Sequence, residues 1–180
     1  MAQFPTLDNA AGVWKLQDVY NNVMDGTWPN IGAVGIFGGG VKFPATNTAS
    51  TESFNLTSGG EVSVFGNLST ARRALGSTSS LSRGLFAGGY TPTNTNVIQY
   101  VTIASTGNAE DFGDLTEVKA RLSATSNSIT GIFGGGNNPS LSNIIDFATI
   151  ASAGNAADFG DLIAPNDGLA ACSDGHGGLQ

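Results

Sequence analysis

Apolar residues along this chain fall in short runs closed by clusters of Gly, Ser, Thr and Asn, and beyond the first thirty residues none keeps a helical spacing. That pattern predicts short strands joined by tight turns. The runs themselves recur. Gly35-Ile-Phe-Gly-Gly-Gly40 returns as Gly84-Leu-Phe-Ala-Gly-Gly89 after 49 residues, and as Gly131-Ile-Phe-Gly-Gly-Gly136 after 47 more. A second landmark, Phe65-Gly-Asn-Leu68, Phe112-Gly-Asp-Leu115 and Phe159-Gly-Asp-Leu162, keeps a step of 47 both times. Residues 84–130 and 131–177 agree at 22 of 47 positions, and the first unit fits the same frame with two extra residues before Phe65. A fixed period of this length marks one supersecondary unit used repeatedly.

Four strand-like runs can be read in each unit. In the second unit they are Gly84–Gly89, then Val97–Ile103, a run centred on Phe112 and Leu115, and last Leu122–Asn127. Leu75–Ser80 and Leu169–Asp174 stand in the frame of the fourth run. Four strands in about 47 residues match a propeller blade, which must bury both faces against its neighbours. The expected fold is therefore all-β, with three four-stranded propeller-like blades at about 35–83, 84–130 and 131–180. Three blades do not close a ring, and an open arc leaves sheet edges unpaired, so self-association into a homo-oligomer is expected.

Residues 1–30 stand outside the repeat. Leu16, Val19, Tyr20 and Val23 place one apolar stripe on a short helix, which Asp25-Gly26 ends. This arm holds both tryptophans, Trp14 and Trp28. With Tyr20 they are candidate docking residues, because large aromatics are favoured interface anchors. A cap over the first unit is the alternative role for the arm.

Composition narrows the partners. The net charge of −7 and seven scattered basic residues argue against nucleic acid, whose phosphates demand clustered Lys and Arg. No apolar run is long enough for a membrane-spanning helix, and no membrane insertion is expected. The start MAQFPTLDNA lacks the basic end and apolar stretch of a signal peptide, so the chain reads as made in a cytoplasm. One cysteine, Cys172, allows no disulfide within the chain.

The apolar run followed by Gly-Gly resembles kelch-type repeats over residues 31–180, with Phe112 and Phe159 as the nearest substitutes for the usual Tyr and Trp after the glycines. Gly12-Val-Trp14 through Trp28-Pro29, the Gly-Gly units and the terminal Asp174-Gly-His-Gly-Gly178 together resemble virion structural proteins of tailed bacteriophages, particularly marine and cyanobacterial ones. That resemblance implies a particle component: a tail fibre, tail-tip or head-decoration protein. Its partners would be other virion proteins and its location the virion, with contact to a host surface glycan as a further role. The loops where units differ, around Val41–Thr51, Tyr90–Asn96 and Asn137–Asn143, are expected to face outward.

Catalytic chemistry finds little footing. His176 is the only imidazole, among glycines near the end, so neither a Ser-His-Asp triad nor a zinc site is supplied, and no cofactor is expected. Asp111 and Asp114 recur as Asp158 and Asp161, but the first unit has Val64 and Asn67 there. Carboxylates at strand ends read first as turn caps, then as calcium ligands or a hydrolytic pair. A lectin-type carbohydrate-binding module is the alternative function, with Tyr90 as candidate binding-loop residue, although its equivalents are Val41 and Asn137. A glycan-cleaving enzyme would rest on the Asp pairs alone.

Overall fold

The repeated runs form strands in the computed structural model, which describes residues 34–173. Among these residues the chain is all-β, with thirteen strands in four antiparallel sheets and no helix. The arm expected over 1–30, with Trp14, Tyr20 and Trp28, lies outside the described residues, as does His176.

The first sheet holds β1 (Val34–Gly38), β4 (Ser50–Asn55) and β5 (Ser63–Asn67). Between its first two strands rises a hairpin of β2 (Val41–Lys42) and β3 (Thr46–Asn47). The second sheet is a four-stranded meander of β6 (Gly76–Ser79), β7 (Arg83–Ala87), β8 (Val97–Thr102) and β9 (Glu110–Asp114). The third repeats it with β10 (Ser123–Ser126), β11 (Thr130–Gly134), β12 (Ile144–Thr149) and β13 (Ala157–Asp161).

Two sheets have the four strands expected of each unit, the first has three among the described residues beside its separate hairpin, and the phase differs from the pattern. The run Leu75–Ser80, expected to close the unit 35–83, instead opens the second sheet: β6 pairs with β7, Gly76 opposite Ala87. Likewise β10 pairs with β11, across the expected boundary at 130 and 131. Short turns decide this. Ser80 Oγ accepts the N–H groups of Ser82 and Arg83, and Asn127 Oδ1 accepts those of Ile129 and Thr130, so each run folds back on the strand just after it.

Successive sheets stack through a repeated junction. Gly107 and Ala109 donate their N–H groups to the carbonyls of Phe65 and Asn67 at 2.9 and 2.8 Å, and Asn108 Oδ1 accepts from Asn67 N at 3.1 Å. One period later Gly154 and Ala156 donate to Phe112 and Asp114, and Asn155 Oδ1 accepts from Asp114 N at 3.0 Å. The Phe-Gly landmark exists for this contact. Phe65 and Phe112 are buried between sheets, while a Cβ at Gly66 or Gly113 would overlap the carbonyl of Gly107 or Gly154. Gly113 also sits at φ 145°, where only glycine is unstrained, on a bulge opposite Ile98 and Gln99.

Two apolar clusters fill the junctions. Phe65, Leu68, Phe86 and Val101 pack between the first and second sheets. Leu85, Ile98, Phe112 and Phe133 lead the larger cluster between the second and third. At the two ends the same positions stand open: Phe37 is 66% exposed where Phe86 is 3%, and Phe159 is 64% exposed where Phe112 is 3%. The phenylalanines therefore fill junctions in the middle of the stack and are bare at its ends.

Candidate functional site

The loops that vary between repeats gather on one rim. Tyr90 bridges to Asn94 and to Arg73, and Asn137 bridges to Leu141 and to Ala120, so each loop after a Gly-Gly pair clasps the turn leading into its own sheet. Neighbouring loops are tied by asparagines. Asn47 Nδ2 donates to the carbonyl of Tyr90 at 3.1 Å, and Asn94 Nδ2 donates to that of Asn137 at 2.6 Å. The turns are chained as well: Arg121 N donates to Ala74 O, and Gly168 N to Arg121 O.

Between the second and third loops lies an open cleft of about 560 Å³. Arg73, Tyr90, Asn94, Arg121, Asn137 and Asn138 supply its polar lining, with Pro92 and Pro139 on the lips. The Arg73 guanidinium lies 4.5 Å over the Tyr90 ring and donates to Asn47 Oδ1 at 3.2 Å, which fixes the ring on one face. Arg121 is 3.4 Å from Asp167, and Asn137 Nδ2 donates to the same carboxylate at 3.0 Å. Arg121 projects into water, its side chain 64% exposed. Ala74 and Arg121 occupy the same place in successive repeats at φ 55° and 58°, and Gly168 follows at 66°. Left-handed backbone at residues other than glycine is costly and survives only where its surroundings hold it.

Two residues before each of the first two of these turns lies a buried cationic side chain. Arg72, 2% exposed, donates to the carbonyls of Gly88, Val97 and Phe86 at 2.9–3.2 Å and to Gln99 Oε1 at 3.0 Å. Burial draws its pKa down to about 10, which still leaves it charged at neutral pH. Gln99 in turn donates to Ser69. In the next repeat Lys119 replaces Arg72 and Asp146 replaces Gln99. Both are fully buried, Nζ to Oδ2 2.8 Å, and Thr116 donates to the other carboxylate oxygen. Neither pair stands out in the sequence, yet Arg72 and Lys119, and Gln99 and Asp146, are each 47 residues apart. Setting the repeats in register and asking which charged positions recur would find them.

Among the described residues singled out as candidate sites from sequence, only Tyr90 lines the cleft. The four aspartates are on the outermost strands. Asp158 Oδ1 accepts the N–H of Gly160 two residues on, a local cap. Asp111, Asp114 and Asp161 have no side-chain hydrogen bond among the described residues; the polar contact at the junctions comes from Asn108 and Asn155. The reason is position: the asparagines lie on the turn that docks, and the aspartates beside the edge it docks against. Among the described residues no three His, Cys, Asp or Glu side chains are grouped as metal ligands would be. The cleft presents hydrogen-bond donors, one aromatic ring and one solvated guanidinium, a chemistry of binding. No protein-family model matches the chain, and no curated protein sequence matches it.

Proposed function

We propose that the chain is a structural and interaction component of a phage particle, a tail fibre, tail-tip or head-decoration protein that binds rather than catalyses. In this reading the stacked sheets are propeller-like blades of kelch type, copies associate to complete the array, and the rim meets a partner. One observation carries it: repeated sheets in rigid register gather their dissimilar loops, β2–β3, 88–96 and 135–143, along a single rim. Such a design separates a constant scaffold from a changeable contact surface. The phage setting itself rests on the sequence resemblance.

Immunogold labelling of purified particles with antibodies to the chain tests this. Label at one defined place, tail or head, is expected; particles whose protein content by mass spectrometry lacks the chain would sink the reading. A second reading, a carbohydrate-binding module, is favoured by the cleft, where the Tyr90 ring and amide donors suit a sugar. It requires glycan-array binding that Tyr90→Ala and Arg121→Ala each weaken about tenfold or more, the scale of one lost stacking or charged contact.

A further inference from the structure

The rim cleft is unevenly furnished for hydrogen bonding. Its backbone is already engaged. Arg73 and Tyr90 exchange N–H and carbonyl with each other, Ala120 and Asn137 do the same, and the carbonyls of Ala74 and Arg121 accept from Arg121 N and Gly168 N. The amide of Asn94 goes to the carbonyl of Asn137, and that of Asn137 to Asp167. Two guanidinium groups are left with donors to spare. Among the described residues Arg73 donates once, to Asn47, and Arg121 once, to Asp167 at 3.4 Å, longer than an ordinary N–H···O bond. Each guanidinium carries about five N–H donors. The described lining includes two of the chain's seven basic residues and no Asp or Glu, in a molecule of net charge −7, so positive charge is gathered at this one cleft. The backbone at Arg121 adds a second observation. Its φ of 58° suits glycine, which stands at that place in the next turn as Gly168. Strain of this kind collects at ligand clamps.

We infer that the cleft binds a carboxylated saccharide, its carboxylate gripped by the Arg121 guanidinium, with Arg73 supplying the second positive charge. A carboxylate only accepts hydrogen bonds, and the guanidinium fork matches its two oxygens. A neutral sugar brings hydroxyl donors, for which the engaged carbonyls leave few acceptors. An acidic peptide fits less well. Peptides bind by pairing their main chain with an open edge, and both loops close theirs through the bridges of Tyr90 with Asn94 and Asn137 with Leu141. The Tyr90 ring and the two prolines give a sugar ring an apolar wall. The volume of about 560 Å³ lies within the roughly 300–1,000 Å³ of small-ligand sites. The inference rests on the carbohydrate-binding reading and specifies which saccharides the cleft admits.

The full-length chain is applied to an array of uronate-bearing, sialylated, sulfated and neutral glycans, and each carboxylated glycan is paired with its carboxyl-reduced form. Binding confined to carboxylated glycans and lost on reduction is expected. Arg121→Gly, which relaxes the left-handed backbone, should stay folded by circular dichroism and weaken that binding about tenfold or more. Arg121→Lys keeps the charge without the fork and should restore only part of it. Asp167→Asn removes the competing carboxylate and should tighten binding about threefold or more. Carboxylated and reduced forms bound equally, or sulfated glycans bound in place of carboxylated ones, would overturn the inference and leave the carbohydrate reading intact. Carboxylate binding that Arg121→Gly leaves unchanged would place the ligand elsewhere and overturn it as well. Binding of no glycan on the array would overturn both.

Discussion

Lys119 and Asp146 are both withdrawn from water, and the fold depends on each having the other. A buried pair adds little net stability over an apolar pair of like size, but breaking it strands a charge, at about 3–5 kcal/mol. Lys119→Met should therefore lower the unfolding free energy by about 3–5 kcal/mol in urea titrations, while Lys119→Met with Asp146→Leu recovers most of the loss. If the double variant were as unstable as the single, the bond of Thr116 to Asp146 would be the dominant element instead. Ala74 offers the opposite test. Its left-handed backbone costs about 1–2 kcal/mol, and glycine would relieve that against about 0.5–1 kcal/mol of added chain entropy. Ala74→Gly, at an exposed position, should raise stability by about 0.5 kcal/mol. Arg72 contributes no pH dependence near neutrality. Between its folded value of about 10 and its higher ordinary value the unfolded chain binds more protons, so this group's contribution to stability rises with pH there.

At the scale of elements, one motif performs two different roles according to what lies beyond it. Phe112 and Phe159 occupy the same place in identical Asp-Phe-Gly-Asp-Leu sequences, but only Phe112 has a sheet stacked upon it. Phe112→Ala should cost about 3–5 kcal/mol, and Phe159→Ala, measured on the dissociated monomer, within about 0.5 kcal/mol. Equal losses would mean that the third sheet is covered by something in the free chain. The strands and their turns were legible from the sequence because β-branched runs and Gly-Asn pairs act locally. Which sheet Leu75–Ser80 joins was not. Its own residues permit pairing with either neighbour, and the choice falls to the Ser80 turn, whose hydroxyl satisfies two backbone donors.

Across the whole molecule, burial is concentrated at the middle sheet, which has a neighbour on each face. Hydrogen exchange should follow: slowest in β7 and β8, where Leu85, Ile98 and Val101 are almost inaccessible, and faster in β1 and β13. Uniform protection across the three sheets would indicate that both ends are covered in solution. The rim is a property of this scale too. Tyr90 was singled out from sequence as a lone aromatic in a turn, but its cleft arises because a second loop, led by Asn137, stands one period away.

The sequence alone determined the period, the strand-forming runs and the glycines needed at close approaches. Each of these is written in residue type and spacing, which local sterics and solvation translate directly. The tertiary structure decided the phase of the sheets, the exposure of three otherwise equivalent phenylalanines, the burial of Arg72 and Lys119, and the gathering of dissimilar loops on one rim. Those outcomes depend on which surface meets which, and a periodic chain offers the same local signal at every repeat. Only the stacking distinguishes a middle from an end.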